Sequence, residues 1–296
     1  MFKKIITVIF CLITSFIYSC KPDPVNPPQT QSGNLNLNIS RLEDLGTSAL
    51  YEGWIMVSGN PVSTGTFSVN TNGQLSRTSF PVNASNLSSA TAFVLTIEPV
   101  PDPDPPPSTV KLMGGDFSGN TALLSIAHPS SIGNDLSSAT GKYILATPTN
   151  GPNSDELSGV WFMDLNIMPP QGLHLPTLPA GWVYEGWAVI NGIPVTTGRF
   201  VNPAAPDSAA PYSGNQPAPP FPGEDFLMNA PMGLTFPTNL QGKFIVITVE
   251  PSPDNSLAPF SLKPLIANVP SNAMPMVTYN MTNQSSTNNP SGTATR

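Results

Sequence analysis

The chain has 296 residues, enough for two domains of ordinary size, and hydrophobic residues make up 39% of it, enough for a core in each. Only 10% of the residues are charged and the formal net charge is −7, so the composition predicts no nucleic-acid partner, which would need Lys and Arg to neutralise phosphates. The 36 prolines argue against long helices, because a proline inside a helix removes a hydrogen bond and clashes with the preceding turn.

The N-terminal segment predicts export to the bacterial cell envelope. Two lysines precede an apolar run of about 13 residues, whereas a membrane-spanning helix needs roughly 20. The run ends in Ile17-Tyr18-Ser19-Cys20, which resembles a bacterial lipobox, where a peptidase cleaves before a cysteine whose thiol carries diacylglycerol. We therefore expect residues 1–19 to be a lipoprotein signal peptide and Cys20 to be acylated, with palmitate among its lipids. The alternative is an ordinary signal peptide with an incidental cysteine.

The residues after this cysteine predict a flexible tether. Residues 20–33 are rich in Pro, Asp, Asn and Gln, which suits a segment that holds a folded domain away from a membrane. The other cysteine, Cys11, lies in the signal peptide, so the mature chain is expected to contain no internal disulfide. The expected location is the outer membrane or the periplasmic face of the envelope, with the lipid as the membrane contact.

A long motif occurs twice and predicts an internal duplication. Tyr51-Glu52-Gly53-Trp54 recurs as Tyr184-Glu185-Gly186-Trp187, and each is followed by a glycine-containing turn and a strand that closes on Gly-x-Phe. This order of an apolar strand, a turn and a second strand is typical of a β-hairpin. A later apolar strand ends in Thr-x-Glu-Pro in both copies, and the second copy is lengthened by a segment rich in Pro, Ala and Gly at residues 202–223.

The duplication and the absence of helical periodicity predict an all-β fold. We expect two tandem, related, antiparallel β-sandwich domains at residues 34–127 and 141–279, joined by a linker at residues 128–140. Residues 280–296 have no apolar periodicity and are predicted to be a disordered tail. One alternative stays open: the strands of residues 143–163 can pair with either copy, which would interleave both copies into one larger sandwich.

The order of these motifs resembles the extracytoplasmic domain of anti-sigma-K factors. The resemblance occurs twice, over about residues 34–127 and 141–269, and Leu175-Pro176 with Leu178-Pro179-Ala180-Gly181 is a further match. It implies a β-sandwich that lies outside the cytoplasm. Members of that family span the membrane once and bind a sigma factor through a cytoplasmic part. This sequence contains no counterpart of that part or of the spanning helix, so sigma-factor inhibition is not expected.

The sequence predicts neither an enzyme nor a metal or cofactor site. Its two histidines, His128 and His174, stand beside the predicted linker and in a proline-bounded loop, without a recognisable nucleophile motif. With two histidines and one thiol that is expected to be lipidated, a zinc site is not predicted. We expect no catalytic residues.

Four glutamates and two tryptophans recur at equivalent positions of the two copies: Glu52 and Glu185, Glu98 and Glu250, Trp54 and Trp187. A functional interpretation has the glutamates line a site or bind Ca²⁺ with Asp102 and Asp104 or Asp254, and has the tryptophans stack on sugars. The structural interpretation, which we favour, has each carboxylate accept backbone N–H groups and each tryptophan lie in the core.

Two classes of function follow from these features. The preferred one is a lipid-anchored binding or interaction module of the cell envelope, without catalytic activity, whose partner is an unknown envelope protein or glycan. The alternative is a regulatory component of extracytoplasmic signalling of the anti-sigma-factor type, lacking a sigma-binding domain of its own. The tether, the duplication and the missing catalytic groups favour the first class.

Overall fold

The computed structural model describes residues 31–103, 106–151, 154–253 and 256–296. The predicted signal peptide, Cys20 and most of the predicted tether lie outside these ranges, and so do Asp104 and Asp254. Strands make up 42% of the structure and helices 5%, which confirms the prediction of an all-β, antiparallel, sandwich-like fold. No helix of the described ranges has the length and hydrophobicity to cross a membrane.

The strands and helices of these ranges are numbered in chain order. They are β1 (Ser32–Ser40), β2 (Ala49–Val57), β3 (Asn60–Phe67), β4 (Ser79–Asn83), α1 (Ala84–Ser89), β5 (Ala92–Pro99), β6 (Lys111–Ser118), β7 (Thr121–Ser125), β8 (Thr140–Leu145), β9 (Gly159–Trp161), β10 (Leu173–His174), β11 (Trp182–Ile190), β12 (Ile193–Phe200), β13 (Gly223–Asp225), β14 (Phe244–Pro251), β15 (Leu265–Asn268), β16 (Tyr279–Asn280), β17 (Thr282–Asn283), α2 (Ser285–Asn288) and β18 (Ser291–Thr295).

The first copy forms most of an eight-stranded antiparallel sheet with the order β3-β2-β5-β6-β7-β18-β1-β4. Strand β1 alternates exposed and buried residues, and its inward side chains are Leu35, Leu37 and Ile39, as a strand with one face on a core requires. The sheet curls until its edge strands approach each other, and the rings of Phe67 in β3 and Phe80 in β4 lie 5.9 Å apart. The sheet thus wraps around its own core.

The second copy is a sandwich of two sheets. One has the order β12-β11-β14-β15-β17, and the other has the order β10-β8-β9-β13 with β16 paired to β8. Phe162, which follows β9, packs against Gly186 in β11, where a Cβ atom would lie 2.8 Å from the phenyl ring. Strands β8 and β9 pair with each other and with β10, β13 and β16, so residues 143–163 pair within the second copy. The interleaving considered for this segment is not observed.

Both predicted hairpins are confirmed, with the same turn and the same irregularity. Two-residue turns, Ser58-Gly59 and Asn191-Gly192, join β2 to β3 and β11 to β12, and all four residues have positive φ angles. Such turns match the right-handed twist of paired strands, which explains why glycine occupies the second position. A β-bulge follows Gly53 in the first copy and Gly186 in the second. The two copies therefore share their local backbone geometry.

The C-terminal segment corrects the prediction of a disordered tail. Strand β18 lies between β7 and β1, antiparallel to both, so residues 291–295 complete the sheet of the first copy from the far end of the chain. Its sequence, Ser-Gly-Thr-Ala-Thr, is small and polar and has no apolar periodicity. The strand is held by backbone hydrogen bonds on both sides, and these do not depend on side-chain hydrophobicity.

Arg296, which follows β18, fixes this strand through hydrogen bonds of its side chain. The guanidinium of Arg296 donates hydrogen bonds to the carbonyls of Leu87 (2.8 Å) and Ala90 (2.6 Å) at the end of α1, and to that of Gly119 (3.0 Å). It also lies 4.5 Å from the centre of the Phe117 ring. Carbonyls at a helix C-terminus lack partners within the helix, and a cation satisfies them well.

The residues predicted as a linker pack into the interior. Ile132, Leu136 and Ala139 are buried and belong to the same continuous core as side chains of both copies. The amide of Asn283 donates hydrogen bonds to the carbonyls of Leu136 and Ala139, which fixes this segment against β17. The two copies therefore meet through packed side chains.

Placement of a charge on β18 should reveal its role in the first copy. Ala294 is fully buried, so Ala294→Asp should destabilise the protein by about 3–5 kcal/mol, because it buries an unpaired carboxylate. Thr293 lies on the opposite face, across from the exposed Leu123, and Thr293→Asp should cost less than about 1 kcal/mol. Urea unfolding of both variants measures this, and equal losses would contradict the inward position of Ala294.

Candidate functional site

The recurring tryptophan and glutamate of the first copy belong to a buried hydrogen-bonded network. The indole N–H of Trp54 in β2 donates to the hydroxyl of Thr96 in β5 over 2.9 Å, and this hydroxyl donates to the carboxyl of Glu98. The same carboxyl accepts the backbone N–H of Ser108 over 3.0 Å, which ties the loop after β5 to the strand. Glu98 is only 3% exposed, so its carboxyl faces the protein.

The second copy repeats this network with nearly identical distances. Trp187 in β11 donates to Thr248 in β14 over 2.9 Å, Thr248 donates to Glu250, and Glu250 accepts the backbone N–H of Phe260 over 2.9 Å. Glu250 is 1% exposed and Trp187 is buried. Neither tryptophan offers an open ring face for a sugar, and the carboxyls accept backbone N–H groups as the structural interpretation predicts.

The remaining pair of glutamates differs between the copies. Glu185 accepts a hydrogen bond from Thr196 over 2.5 Å and forms an ion pair of 2.8 Å with Arg199 in β12. Glu52 accepts a hydrogen bond from Ser63, and Thr66 stands across from it where the second copy has Arg199. Burial raises the pKa of Glu52, and the nearby Glu98 adds to this effect while the Ser63 hydroxyl opposes it.

Exchange of the residues that face Glu185 and Glu52 should destabilise the protein only at Glu185. Arg199→Thr leaves Glu185 buried without its guanidinium and should lower the free energy of unfolding by about 1–3 kcal/mol at pH 7. Thr66→Arg places a guanidinium on an exposed position beside Glu52 and should be neutral or stabilising by up to about 1 kcal/mol. Urea denaturation at low salt measures both, and a similar loss in each variant would contradict a stabilising role for the Arg199–Glu185 ion pair.

The structure does not assemble a metal site from these residues. Among the described residues, no group of three or more His, Cys, Asp or Glu side chains is placed to hold an ion. Two aspartates of the Ca²⁺ hypothesis, Asp104 and Asp254, lie outside the described ranges. His128 is bound locally: its Nδ1 accepts the backbone N–H of Ser130 over 3.2 Å, and its Nε2 lies 3.3 Å from Asp116.

The other histidine borders two adjoining clefts in the second copy, which we call the His174 groove. One cleft has a volume of about 590 Å³ and the other about 570 Å³, and both are lined by Gln171 and His174. The other polar side chains of the lining come from three stretches of the chain, residues 134–142, residues 164–177 and Asn280: Asn134, Ser138, Lys142, Asp164, Thr177 and Asn280. Edge strand β10 positions His174 between the clefts, where it is exposed.

An ion pair between Lys142 and Asp164 lines the second cleft of the His174 groove. The ammonium of Lys142 lies 2.7 Å from the carboxylate of Asp164, which also accepts hydrogen bonds from the backbone and side chain of Asn166. The Lys142 hydrogen bond is the largest cause that lowers the pKa of Asp164, to about 2, so this carboxylate stays ionised in neutral solution. The rest of the lining offers amides, hydroxyls and an imidazole together with apolar side chains, among them Leu175, Ile167 and Met281. This mixture suits an uncharged ligand that has both hydrogen-bonding groups and an apolar face.

Sequence reasoning named His174 but missed the residues around it. Lys142, Asp164, Gln171 and Asn280 belong to no local motif and are brought together by the pairing of β8 with β10 and β16. The only available signal was the scarcity of charge, because charged residues make up 10% of the chain and two of them meet in this groove.

Comparison of the chain with protein-family models, with curated proteins and with solved structures gives no significant match. The resemblance to the extracytoplasmic domain of anti-sigma-K factors therefore rests on the duplicated motifs.

Proposed function

We propose that this protein is a lipid-anchored binding module of the bacterial cell envelope and that the His174 groove holds its partner. The observation that carries the proposal is the groove itself, which gathers polar side chains from distant segments around one exposed imidazole. The lipobox at Cys20 supports the anchor. The burial of the recurring glutamates and tryptophans supports a structural role for them, which leaves the groove as the better candidate for binding.

The chemistry of the groove favours an uncharged, polar partner. Its one ion pair is internally neutralised, and the net charge of the whole chain is −7, so an anionic partner is disfavoured. Amide and hydroxyl groups can both donate and accept hydrogen bonds, which suits the hydroxyls of an envelope glycan or the backbone of an envelope protein. The proposal includes no catalytic step.

Site-specific photocrosslinking in living cells tests this proposal. A photoreactive residue at Thr177, which is exposed in the groove, should give covalent adducts, whereas the same residue at Leu123 in the first copy should give few. His174→Trp, which fills the groove, should reduce the Thr177 adducts at least fivefold. Equal adducts at both positions, or no effect of His174→Trp, would exclude the groove.

Mass spectrometry of the adducts separates the two classes of function. Envelope proteins or glycans support the binding module, whereas a sigma factor regulator would favour the signalling alternative that the family resemblance suggests. Turnover of a bound compound would contradict both.

The lipid anchor has its own test. Metabolic labelling with an alkyne fatty acid should modify the wild-type protein, and Cys20→Ser should abolish the label while the precursor retains its signal peptide. Cys11→Ser is the matched control and should label normally, because Cys11 is expected to leave with the signal peptide. A wild-type protein without label, or a labelled Cys20→Ser protein, would refute the anchor.

A further inference from the structure

Six exposed apolar side chains of the second copy lie on two neighbouring loops. Of the thirteen large hydrophobic side chains that are exposed in the described ranges, six belong to residues 165–170 and 273–278. They are Leu165, Ile167, Met168, Met274, Met276 and Val277. Exposed hydrophobic residues are ordinary where they are scattered singly, but a group of this size is characteristic of an interaction surface. We call these two segments the apolar loops.

Hydrogen bonds hold the apolar loops side by side. The backbone N–H of Leu165 donates to the hydroxyl of Thr278 over 3.1 Å, which joins the start of one loop to the end of the other. An isolated β-bridge closes the base of the first loop. In the second loop, the backbone N–H of Met276 donates to the carbonyl of Leu145 at the end of β8 over 2.9 Å. The six side chains are therefore presented together on one surface.

A cleft adjoins the apolar loops. It has a volume of about 510 Å³, and Pro275 and Met276 of the second loop form part of its wall. The carboxyl of Glu156, the one ionisable group of the lining, already accepts the backbone N–H of Thr147 over 3.0 Å. The rest of the lining is uncharged and mostly apolar: Ala146, Pro148, Gly151, Gln216 and Pro217. The surface thus carries exposed apolar side chains and a largely apolar cleft next to each other.

The apolar loops carry no charged residue, although the chain has a formal net charge of −7. Residues 165–184 and 264–295 contain no Asp, Glu, Lys or Arg. Two copies of an acidic chain repel each other where their charged surfaces meet, so an uncharged apolar face is the place where they can approach. The interfaces of homodimers are likewise apolar and poor in charge at their centre.

The bilayer that holds the lipid anchor is a poor occupant of this face. Strand β1 begins at Ser32, directly after the predicted tether, and its nine residues span about 30 Å. The chain then meets the second copy, where Glu43 accepts the backbone N–H of Ser261 over 2.6 Å. The apolar loops lie beyond this junction, because Met276 bonds to the last residue of β8. The tether therefore leaves the chain on the opposite side of the junction from the apolar loops.

We propose that the apolar loops form a two-fold interface with a second copy of this chain, in which the loops of each copy enter the cleft of the other. In a two-fold interface the same surface meets itself, so it must be self-complementary, and apolar side chains beside an apolar cleft satisfy this condition. Met168 is 89% exposed, and its unbranched side chain can adapt to an irregular cleft. Of the six side chains only Ile167 also lines the His174 groove, so the dimer leaves most of the groove free.

The size of the surface predicts a reversible dimer. The two loops and the other six residues of the cleft comprise 18 residues, slightly fewer than the roughly 20–30 that each partner contributes to a standard interface. Attachment of both copies to one membrane, which the lipid anchor predicts, raises their effective concentration and favours such a dimer. The dimer is therefore best measured in the intact envelope.

Cysteine crosslinking in intact cells tests the dimer. Met168→Cys, Met274→Cys and Met276→Cys each place a thiol on the apolar loops, and a membrane-permeant bismaleimide should join two copies covalently in at least one of these variants. The wild type measures any background from Cys20, the one cysteine expected in the mature chain. Leu123→Cys is the matched control: it is 75% exposed on the first copy and should give at least fivefold less dimer.

A second substitution separates a specific contact from random collision. Met168→Glu, or Met276→Glu where residue 168 carries the cysteine, should lower the yield of dimer at least fivefold, because the interface would bury a carboxylate among apolar groups. The matching leucine variant should preserve the yield. Both methionines are exposed, so neither change should alter urea unfolding of the protein.

Four results would overturn the proposal: no covalent homodimer from any of the three cysteine variants, adducts of another mass in its place, an equal yield from Leu123→Cys, or a yield that the glutamate variant does not change. The Thr177 crosslinks of the His174 groove are a separate measurement, so failure of the dimer and failure of the proposed function are distinguishable.

Discussion

Each copy depends on a buried carboxyl at the end of an apolar strand, where one oxygen of the carboxyl accepts two hydrogen bonds. Glu98 and Glu250 bind the threonine two residues earlier and a backbone N–H of the following loop, and the threonine binds a tryptophan on the neighbouring strand. Loss of one of these hydrogen bonds leaves a buried polar group unpaired, which costs about 1–3 kcal/mol. The network thereby fixes the register of β2 with β5 and of β11 with β14. Strands β2 and β11 are also the first strands of the two hairpins.

The second constraint is the return of the chain to its first sheet. Strand β18 fills the gap between β7 and β1, so the sheet of the first copy closes only after the whole second copy has been made. The shared core and the hydrogen bond from Ser261 to Glu43 (2.6 Å) join the copies as well. The two copies follow each other along the chain, but the sheet of the first copy includes a strand from beyond the second copy. We therefore expect the first copy to reach its final stability last.

Local patterns explain what the sequence could predict. The hairpins follow from Ser-Gly and Asn-Gly turns between apolar runs, and the buried role of Glu98 and Glu250 follows from their place at the end of an apolar strand. Strand β18 was not predicted because it has only one fully buried side chain, Ala294, and is held by its backbone. The His174 groove and the buried role of Asp225 in β13 were not predicted because the residues that meet there are distant in sequence: Lys142 pairs with Asn280, and Asp225 binds Thr149.

The two copies differ in what packs against the same glycine of their hairpins. At the glycine near the end of its hairpin, the first copy packs Phe80, whereas the second copy packs Asp207 and adds the Pro- and Ala-rich residues 202–222. The first copy also begins directly after the predicted tether and receives the C-terminal strand, so both ends of the folded chain are held there. A copy that anchors both ends gains from rigidity, while the copy beyond it is free to carry a groove and polar side chains. Under the proposed function, the second copy is the one that binds the partner and the first copy is the rigid support on which it stands.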